Sequence, residues 1–218
     1  MCDFDTVVFD LGGVLIDWNP RHLYRKLFED DIAGMERFLS DVCSPSWNER
    51  QDAGRSFDEA VADLLPRHVD QAHLITAFRD RWSEMLGGEI PGTVAVLSEL
   101  KAAGVRLYAL TNWSRETFPV ARTRFDFLQS FDGILVSGQE MLVKPDPAIF
   151  ELLFCRFDIQ PKRSVFIDDS QRNVQCASTT GMQAVLFTDA EALRTALIGL
   201  GLPVASGCAS TETARGPG

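Results

Sequence analysis

Apolar and polar positions follow two different rhythms along this chain. A short apolar run, Val7 to Phe9, ends in Asp10 and is followed by two glycines, which is typical of a buried strand that stops at a turn. From about residue 18 to residue 86 the apolar positions recur at helical spacing. From Pro91 onward, strand-like and helix-like segments alternate as far as residue 200. The pattern predicts one strand, a block of helices, and then alternating strands and helices.

The middle block is predicted to contain helices only. Ser56 stands three residues before Glu59, which is the pattern of a capping box at a helix start. A further helix is predicted from Ile75 to Leu86, and the glycine pair 87–88 would end it. No strand-like run is evident between residues 18 and 86.

The second half of the chain predicts a parallel sheet. Asp146 followed by Pro147 marks the start of one of its helices. Strands that alternate with helices are typical of a right-handed, doubly wound parallel sheet. The predicted fold class is therefore α/β, with a doubly wound parallel sheet and an inserted helical domain. The strand-like runs after Pro91 lie at 105–110, 134–136, 164–167 and 184–187.

These breaks in pattern predict the domain boundaries. Residues 1–17 and 88–202 would form the α/β core, and residues 18–87 an inserted helical cap. Residues 203–218 are small, polar and rich in glycine, so a disordered tail is expected. The cap is expected to close over the strand ends, with hinges near 17–20 and 87–92.

Charge and composition narrow the class of protein. The 218 residues carry a net charge of −10, which argues against nucleic acid or anionic membrane as a partner because both attract clustered Lys and Arg. No signal peptide and no run of about 18 apolar residues is evident. The five cysteines are scattered without a C-x-x-C pair, as in a cytoplasmic protein with reduced thiols. We predict a cytoplasmic monomer or homodimer that acts on a small molecule.

Polar side chains stand where four apolar runs end. In a doubly wound sheet these ends meet at one crevice. Three carboxylates in one crevice repel each other unless a cation joins them, and oxygen ligands suit Mg²⁺. A lysine and a hydroxyl beside that ion suit the oxygens of a phosphoryl group, whose phosphorus Asp10 can attack. The polar side chains are Asp10, Thr111 with Asn112, Lys144, and Asp168 with Asp169.

These residues lie in motifs that resemble those of haloacid dehalogenase-like (HAD) hydrolases with a small cap after the first strand. The motifs are FDLGGVL, LTN, KPDP and FIDDSQRN, and the resemblance covers about residues 5 to 200. Each motif alone is weakly specific, whereas all four in this order, with the helical insert in the matching gap, are strongly so. The resemblance implies a HAD-like, Rossmannoid core. Receiver domains of response regulators also use Asp, Thr, Lys and Mg²⁺, but they place the acidic pair near the N-terminus and lack the helical insert.

The resemblance also implies a role for each site residue. Asp10 would be the nucleophile, and Lys144 would steady both the nucleophile and the phosphate. Thr111 and Asn112 would hold the phosphoryl oxygens, and Trp113, which follows them directly, is the tryptophan best placed to line a substrate pocket. The Mg²⁺ ligands would come from Asp10, the carbonyl of Gly12, Asp168 and Asp169. Which aspartate of the pair 168–169 binds the ion directly stays open.

One position departs from the family pattern. The common first motif is Asp-x-Asp, and its second aspartate protonates the leaving oxygen, but Gly12 stands there in this chain. A missing proton donor nominally lowers the rate by about 10²–10⁴-fold. Three interpretations remain: the substrate leaves easily or supplies protons otherwise, a flap or cap residue such as Asp17 replaces the acid, or the protein only binds its ligand. The loop 52–54 resembles a cap-loop feature of related hydrolases, although a plain turn explains it equally well.

A metal-independent 2-haloacid dehalogenase is the main alternative enzyme. Dehalogenases of this family also replace the second aspartate, but their fourth motif is typically based on Ser and Asn. The pair Asp168 and Asp169 is poorly explained without a cation, which favours a phosphatase. A mutase is disfavoured because returning the phosphoryl group depends on the missing acid. We therefore predict a Mg²⁺-dependent phosphatase of a small phosphomonoester, for which a sugar phosphate is one candidate.

Overall fold

The central feature of the fold is a five-stranded parallel sheet. The computed structural model describes residues 3–205. The strands of this sheet are β1 (Thr6–Phe9), β4 (Arg106–Thr111), β5 (Gly133–Val136), β6 (Ser164–Asp168) and β7 (Gln183–Leu186). Their order is β5-β4-β1-β6-β7, and every neighbouring pair is parallel. The predicted doubly wound α/β fold is confirmed.

Helices surround the sheet and also form the segment between its first two strands in sequence. Short 3₁₀ helices lie at Leu65–Arg67, Val69–Gln71, Trp82–Met85, Asp126–Ser130 and Pro161–Arg163. The helices are α1 (Arg21–Phe28), α2 (Ile32–Asp41), α3 (Pro45–Asp52), α4 (Phe57–Leu64), α5 (Ala72–Asp80), α6 (Pro91–Ala102), α7 (Phe118–Arg124), α8 (Ser137–Glu140), α9 (Pro147–Phe157), α10 (Gln171–Thr179) and α11 (Ala190–Gly199).

Strand β1 carries three consecutive apolar residues, Val7 to Phe9, because both of its faces are buried. Val7 and Phe9 lie in the larger core cluster, whereas Val8 lies in a second cluster with Phe150 and Phe166. Alternate residues of a strand point to opposite faces, so a continuous apolar run places one side chain in each cluster in turn. All four residues of β1 are buried.

The inserted helices have a shared aromatic interior. Tyr24 of α1 is fully buried, packs 5.1 Å from the ring of Phe38 and 6.3 Å from that of Phe78, and donates its hydroxyl to the carbonyl of Leu74. The capping box of Ser56 and Glu59 is confirmed, with both reciprocal hydrogen bonds present. The ring contacts join α1, α2 and α5 around one apolar centre, and the ring of Phe57 on α4 lies 6.1 Å from that of Phe78.

The prediction that residues 18–86 contain helices only is wrong at both ends. Two further strands, β2 (Ile16–Trp18) and β3 (Leu86–Glu89), pair antiparallel where the chain leaves the core and returns to it. Helix α5 ends at Asp80 rather than at Leu86, because Leu86 is buried and pairs with β2. A side chain at Gly87 would meet the side chains of Asp17 and His22, which would have to move to admit it. Division of the chain into a core and a cap at 17/18 and 87/88 stays a prediction.

The chain beyond α11 runs back along the core as far as it is described. The N–H of Ala205 donates to the Glu99 carboxylate at 2.8 Å, and the carbonyl of Ala205 accepts a hydrogen bond from Arg194 at 2.6 Å. The predicted disordered tail begins at residue 203, and its residues 206–218 lie outside the described part. Among the helices of residues 3–205, none is long and apolar enough to cross a membrane.

Candidate active site

The ends of three neighbouring strands bring the acidic residues together. Asp10 directly follows β1, and its N–H donates to the carbonyl of Ile167 on β6 over 2.8 Å. Asp168 is the last residue of β6, and Thr111 is the last residue of β4 on the other side of β1. Because all three strands are parallel, their carboxyl ends meet at one edge of the sheet.

Lys144 lies fully buried between two of these carboxylates. Its Nζ is 2.9 Å from Oδ1 of Asp10 and 2.7 Å from Oδ2 of Asp168, and it donates to the carbonyl of Leu110 over 2.8 Å. Burial alone would lower the pKa of Lys144, but Asp10 and Asp168 outweigh it and raise that pKa. The lysine is therefore held as an ammonium ion beside Asp10.

Carboxylate oxygens of Asp10, Asp168 and Asp169 all lie within 4.8 Å of one another. Burial raises the pKa of Asp10, with Lys144 opposing the effect and Asp168 adding to it. Burial and Asp168 likewise raise the pKa of Asp169. With one lysine against three carboxylates, the ionised site keeps a charge of about −2, which a divalent cation would neutralise. Three carboxylates in reach of one another fit the all-oxygen ligand set that Mg²⁺ prefers.

The two neighbouring aspartates differ in what already occupies their oxygens. Asp168 is fully buried and accepts hydrogen bonds from Lys144, from the Asn173 amide at 3.0 and 3.1 Å, and from the N–H of Ser170 at 2.8 Å. Asp169 is exposed toward the cavity and packs against Gly13, whose φ of +76° and missing side chain both make room for it. The oxygens of Asp169 are therefore freer to bind a metal ion, whereas those of Asp168 are engaged with Lys144, Ser170 and Asn173.

Thr111 and its two successors have different surroundings. The hydroxyl of Thr111 is buried and has no hydrogen-bond partner among the described residues, which suits a group that awaits a ligand. The Asn112 side chain is already engaged, because its amide exchanges two hydrogen bonds of 2.9 Å with the backbone of Lys144. Only the backbone of Asn112 remains for a phosphoryl oxygen. The indole N–H of Trp113 donates to Thr117, and its ring packs 5.6 Å from that of Trp82.

Two cavities open at this edge of the sheet. The larger has a volume of about 520 Å³ and runs from Lys144 and Asp169 to side chains of the inserted helices, among them Leu39, Asn48 and Phe78. The smaller, of about 60 Å³, is lined by Gly12, Asn112 and Trp113 and by aromatic side chains that include Trp18 and Trp82. Trp18 lines both cavities.

Asp52 is the residue whose importance the sequence pattern understates. It ends α3, lines both cavities, and feels the charges of Asp10 and Lys144 from the core. A turn does follow Asp52, as the sequence of residues 52–54 suggests. Only the packing of α3 on the core shows that the Asp52 side chain lines the cavities at the strand ends. Asp17, the flap or cap residue suggested as a replacement for the missing acid, instead pairs with His22 at 2.9 Å and is not among the residues that line these cavities.

These raised pKa values predict how stability responds to pH and Mg²⁺. The folded metal-free protein holds protons on Asp10 and Asp169 at a pH where the unfolded chain has released them, so its stability should fall as the pH rises from about 4 to about 7. Mg²⁺ binds the ionised carboxylates, so it should raise Tm more at about pH 7.5 than at about pH 5. Thermal unfolding with EDTA or MgCl₂ measures both effects. NaCl at equal ionic strength is the control for screening, and a Mg²⁺ shift that is independent of pH would contradict the prediction.

Comparison with known proteins identifies the class. Residues 4–179 match the haloacid dehalogenase-like hydrolase family, so the chain belongs to that family and is a HAD-like hydrolase. The sesquiterpene phosphatase astK of Aspergillus oryzae is 28% identical over 190 residues, which are 87% of this chain and 93% of that protein. The phosphorylated carbohydrates phosphatase of Thermotoga maritima is 25% identical over 83% of each chain.

A solved structure shares the fold. A HAD family enzyme of Bacteroides thetaiotaomicron, in complex with magnesium and inorganic phosphate, superposes with a TM-score of 0.64 and 22% identity over 85% of this chain and 95% of that one. The family expected from the four motifs is thereby confirmed, and its members with known activity include phosphatases.

Proposed function

We propose that this hydrolase is a Mg²⁺-dependent phosphatase that acts on a small phosphomonoester through an aspartyl phosphate on Asp10. The observation that carries the proposal is the set of three carboxylates within 4.8 Å of one another, with the buried Lys144 beside them. The relatives that hydrolyse phosphoesters and the magnesium and phosphate complex of the Bacteroides enzyme support it.

The residues at the strand ends have distinct roles in the proposed reaction. Asp10 attacks phosphorus, and Lys144 holds the attacking carboxylate in place and screens its charge from the incoming phosphate. The hydroxyl of Thr111 and the backbone of Asn112 donate to the phosphoryl oxygens. When bound, Mg²⁺ would neutralise charge on the phosphoryl oxygens. Asp10, Asp169 and the carbonyl of Gly12 would hold it, while Asp168 orients Lys144.

The larger cavity sets the proposed substrate class. Its volume of about 520 Å³ suits a small metabolite, and its walls combine apolar groups such as Leu39 and Phe78 with the polar Asn48 and Arg21. A sugar phosphate remains one candidate, and the terpene relative makes a prenyl phosphate another.

The proposed partner is the small substrate alone, without nucleic acid or membrane, and the proposed oligomeric state is monomer or homodimer. A cytoplasmic location is also part of the proposal, supported by the free thiols Cys43, Cys155 and Cys176.

A phosphate-release screen tests the proposed function. Purified protein is offered p-nitrophenyl phosphate, phenyl phosphate, glucose 6-phosphate, farnesyl phosphate and 2-chloropropionate, each with MgCl₂ or with EDTA. We expect phosphate release from at least one phosphoester, and we expect EDTA to stop it. Asp169→Asn should need at least about 10–100-fold more Mg²⁺, since a direct ligand matters no less than the groups that orient it. Chloride release that persists in EDTA would instead identify a dehalogenase, and the absence of any turnover would leave a binding protein.

A further inference from the structure

Gly12, which stands where the common motif has its second aspartate, has open space around the place of a side chain. A Cβ built on Gly12 would meet no heavy atom within 4 Å, and the backbone there lies outside the left-handed region. Gly12 forms one wall of the cavity of about 60 Å³, next to Asn112. An acidic side chain at residue 12 would therefore enter a cavity beside the phosphoryl site. Asp52 reaches that same cavity from α3.

Asp52 is fixed to the core although it belongs to an inserted helix. Its carboxyl accepts a hydrogen bond of 3.2 Å from the amide of Asn48 and lies near the N–H of Ser114. Its carbonyl accepts a hydrogen bond of 2.6 Å from the hydroxyl of Ser137, which also accepts the N–H of Trp113. The hydrogen bond from Ser137 thus ties the backbone of Asp52 to the core, so the place of its side chain beside the strand ends does not depend on α3 alone.

The surroundings of Asp52 favour its protonated form. Burial raises the pKa of Asp52 to about 7, and the charges of Glu49 and Asp10 act in the same direction, while the Ser114 N–H and Lys144 oppose them. A carboxyl with a pKa near neutrality is partly protonated under ordinary conditions and can both give and take a proton.

We propose that Asp52 is the general acid of this enzyme and replaces, from the inserted helices, the aspartate that Gly12 lacks. The assignment rests on the proposed phosphatase function. In the first step an Asp10 oxygen bonds to phosphorus, the bond from phosphorus to the ester oxygen breaks, and Asp52 gives its proton to that oxygen to release an alcohol. In the second step water attacks phosphorus and gives a proton to Asp52, and the bond from phosphorus to Asp10 breaks to release inorganic phosphate.

Two matched substrates separate proton donation from binding. Phenyl phosphate and p-nitrophenyl phosphate have similar shapes, but phenolate is the more basic leaving group and needs the proton more. Asp52→Asn should lower kcat/KM for phenyl phosphate by about 10²–10⁴-fold and for p-nitrophenyl phosphate at least about tenfold less. Asparagine keeps the shape of the side chain, and thermal unfolding of the variant checks the fold. Asp58→Asn, an exposed carboxyl of α4 paired with Arg79, is the control and should keep both activities.

A second variant returns the acid to its common place. Adding Gly12→Asp to Asp52→Asn should recover at least about tenfold in kcat/KM on phenyl phosphate, because a side chain at Gly12 has room. Equal losses on both substrates in Asp52→Asn would overturn the assignment and leave the phosphatase intact. No turnover of any phosphoester of the screen by the unchanged protein would instead overturn the proposed function, and this assignment with it.

Discussion

Replacing Asp10 by asparagine should lower Mg²⁺-dependent phosphate release by about 10⁴–10⁶-fold, since an amide cannot serve as the nucleophile of a covalent mechanism. Asp10 follows the central strand of the sheet, lies 2.9 Å from Lys144 and shares a metal-sized gap with Asp169. No other described carboxylate has this combination of position after the central strand, pairing with Lys144 and proximity to Asp169. The fold should survive the change, because Asp168 still pairs with Lys144 at 2.7 Å.

Phosphate release from p-nitrophenyl phosphate measures this effect, and acid quenching of the reaction should trap covalent phosphate on the unchanged protein but not on Asp10→Asn. Asp5→Asn is a matched control at the other end of the same strand, where the half-exposed carboxylate pairs with Arg163 at 2.7 Å. It should keep full activity. An Asp10→Asn variant within tenfold of the unchanged protein would exclude Asp10 as the nucleophile.

The parts of the site that follow strands were predictable from sequence. Asp10, Thr111 and Asp168 each end an apolar run, and a parallel sheet brings such ends together whatever the loops do. The fold class followed from the same alternation of strands and helices. Burial of both faces of the inner strands β1 and β6 strengthened the signal, because these strands carry runs of consecutive apolar residues.

The parts that depend on loop conformation were not predictable in the same way. The β2 and β3 pair has three and four residues, too few to show a period of two, and its glycines resemble a helix stop. The engagement of Asn112 with the Lys144 backbone joins two loops 32 residues apart. The hydroxyl of Ser137, 85 residues later, donates to the carbonyl of Asp52 and so helps to dock the end of α3 on the core. Contacts of this kind leave no local pattern in the sequence.

Lys144→Met should destabilise the metal-free protein by about 3–5 kcal/mol, because it leaves the buried carboxylates of Asp10 and Asp168 without their cation. Methionine keeps most of the volume of the side chain, so the loss reports charge more than packing. Contact of the ammonium with the Phe166 ring, 5.5 Å from its centroid, is lost as well. Phosphate release should also fall sharply, since the attacking carboxylate loses its partner.

The pH dependence of that loss distinguishes a charge effect from general damage to the core. Without the lysine, Asp10 takes up a proton more readily when folded, so the destabilisation should shrink as the pH falls from about 7.5 toward about 5. Urea unfolding in EDTA at both pH values measures it. Lys101→Met removes an exposed lysine paired with Asp132 at 2.7 Å and should cost less than about 1 kcal/mol at either pH. Equal losses in the two variants, or a loss in Lys144→Met that does not change with pH, would show that the buried lysine does not neutralise the carboxylates around it.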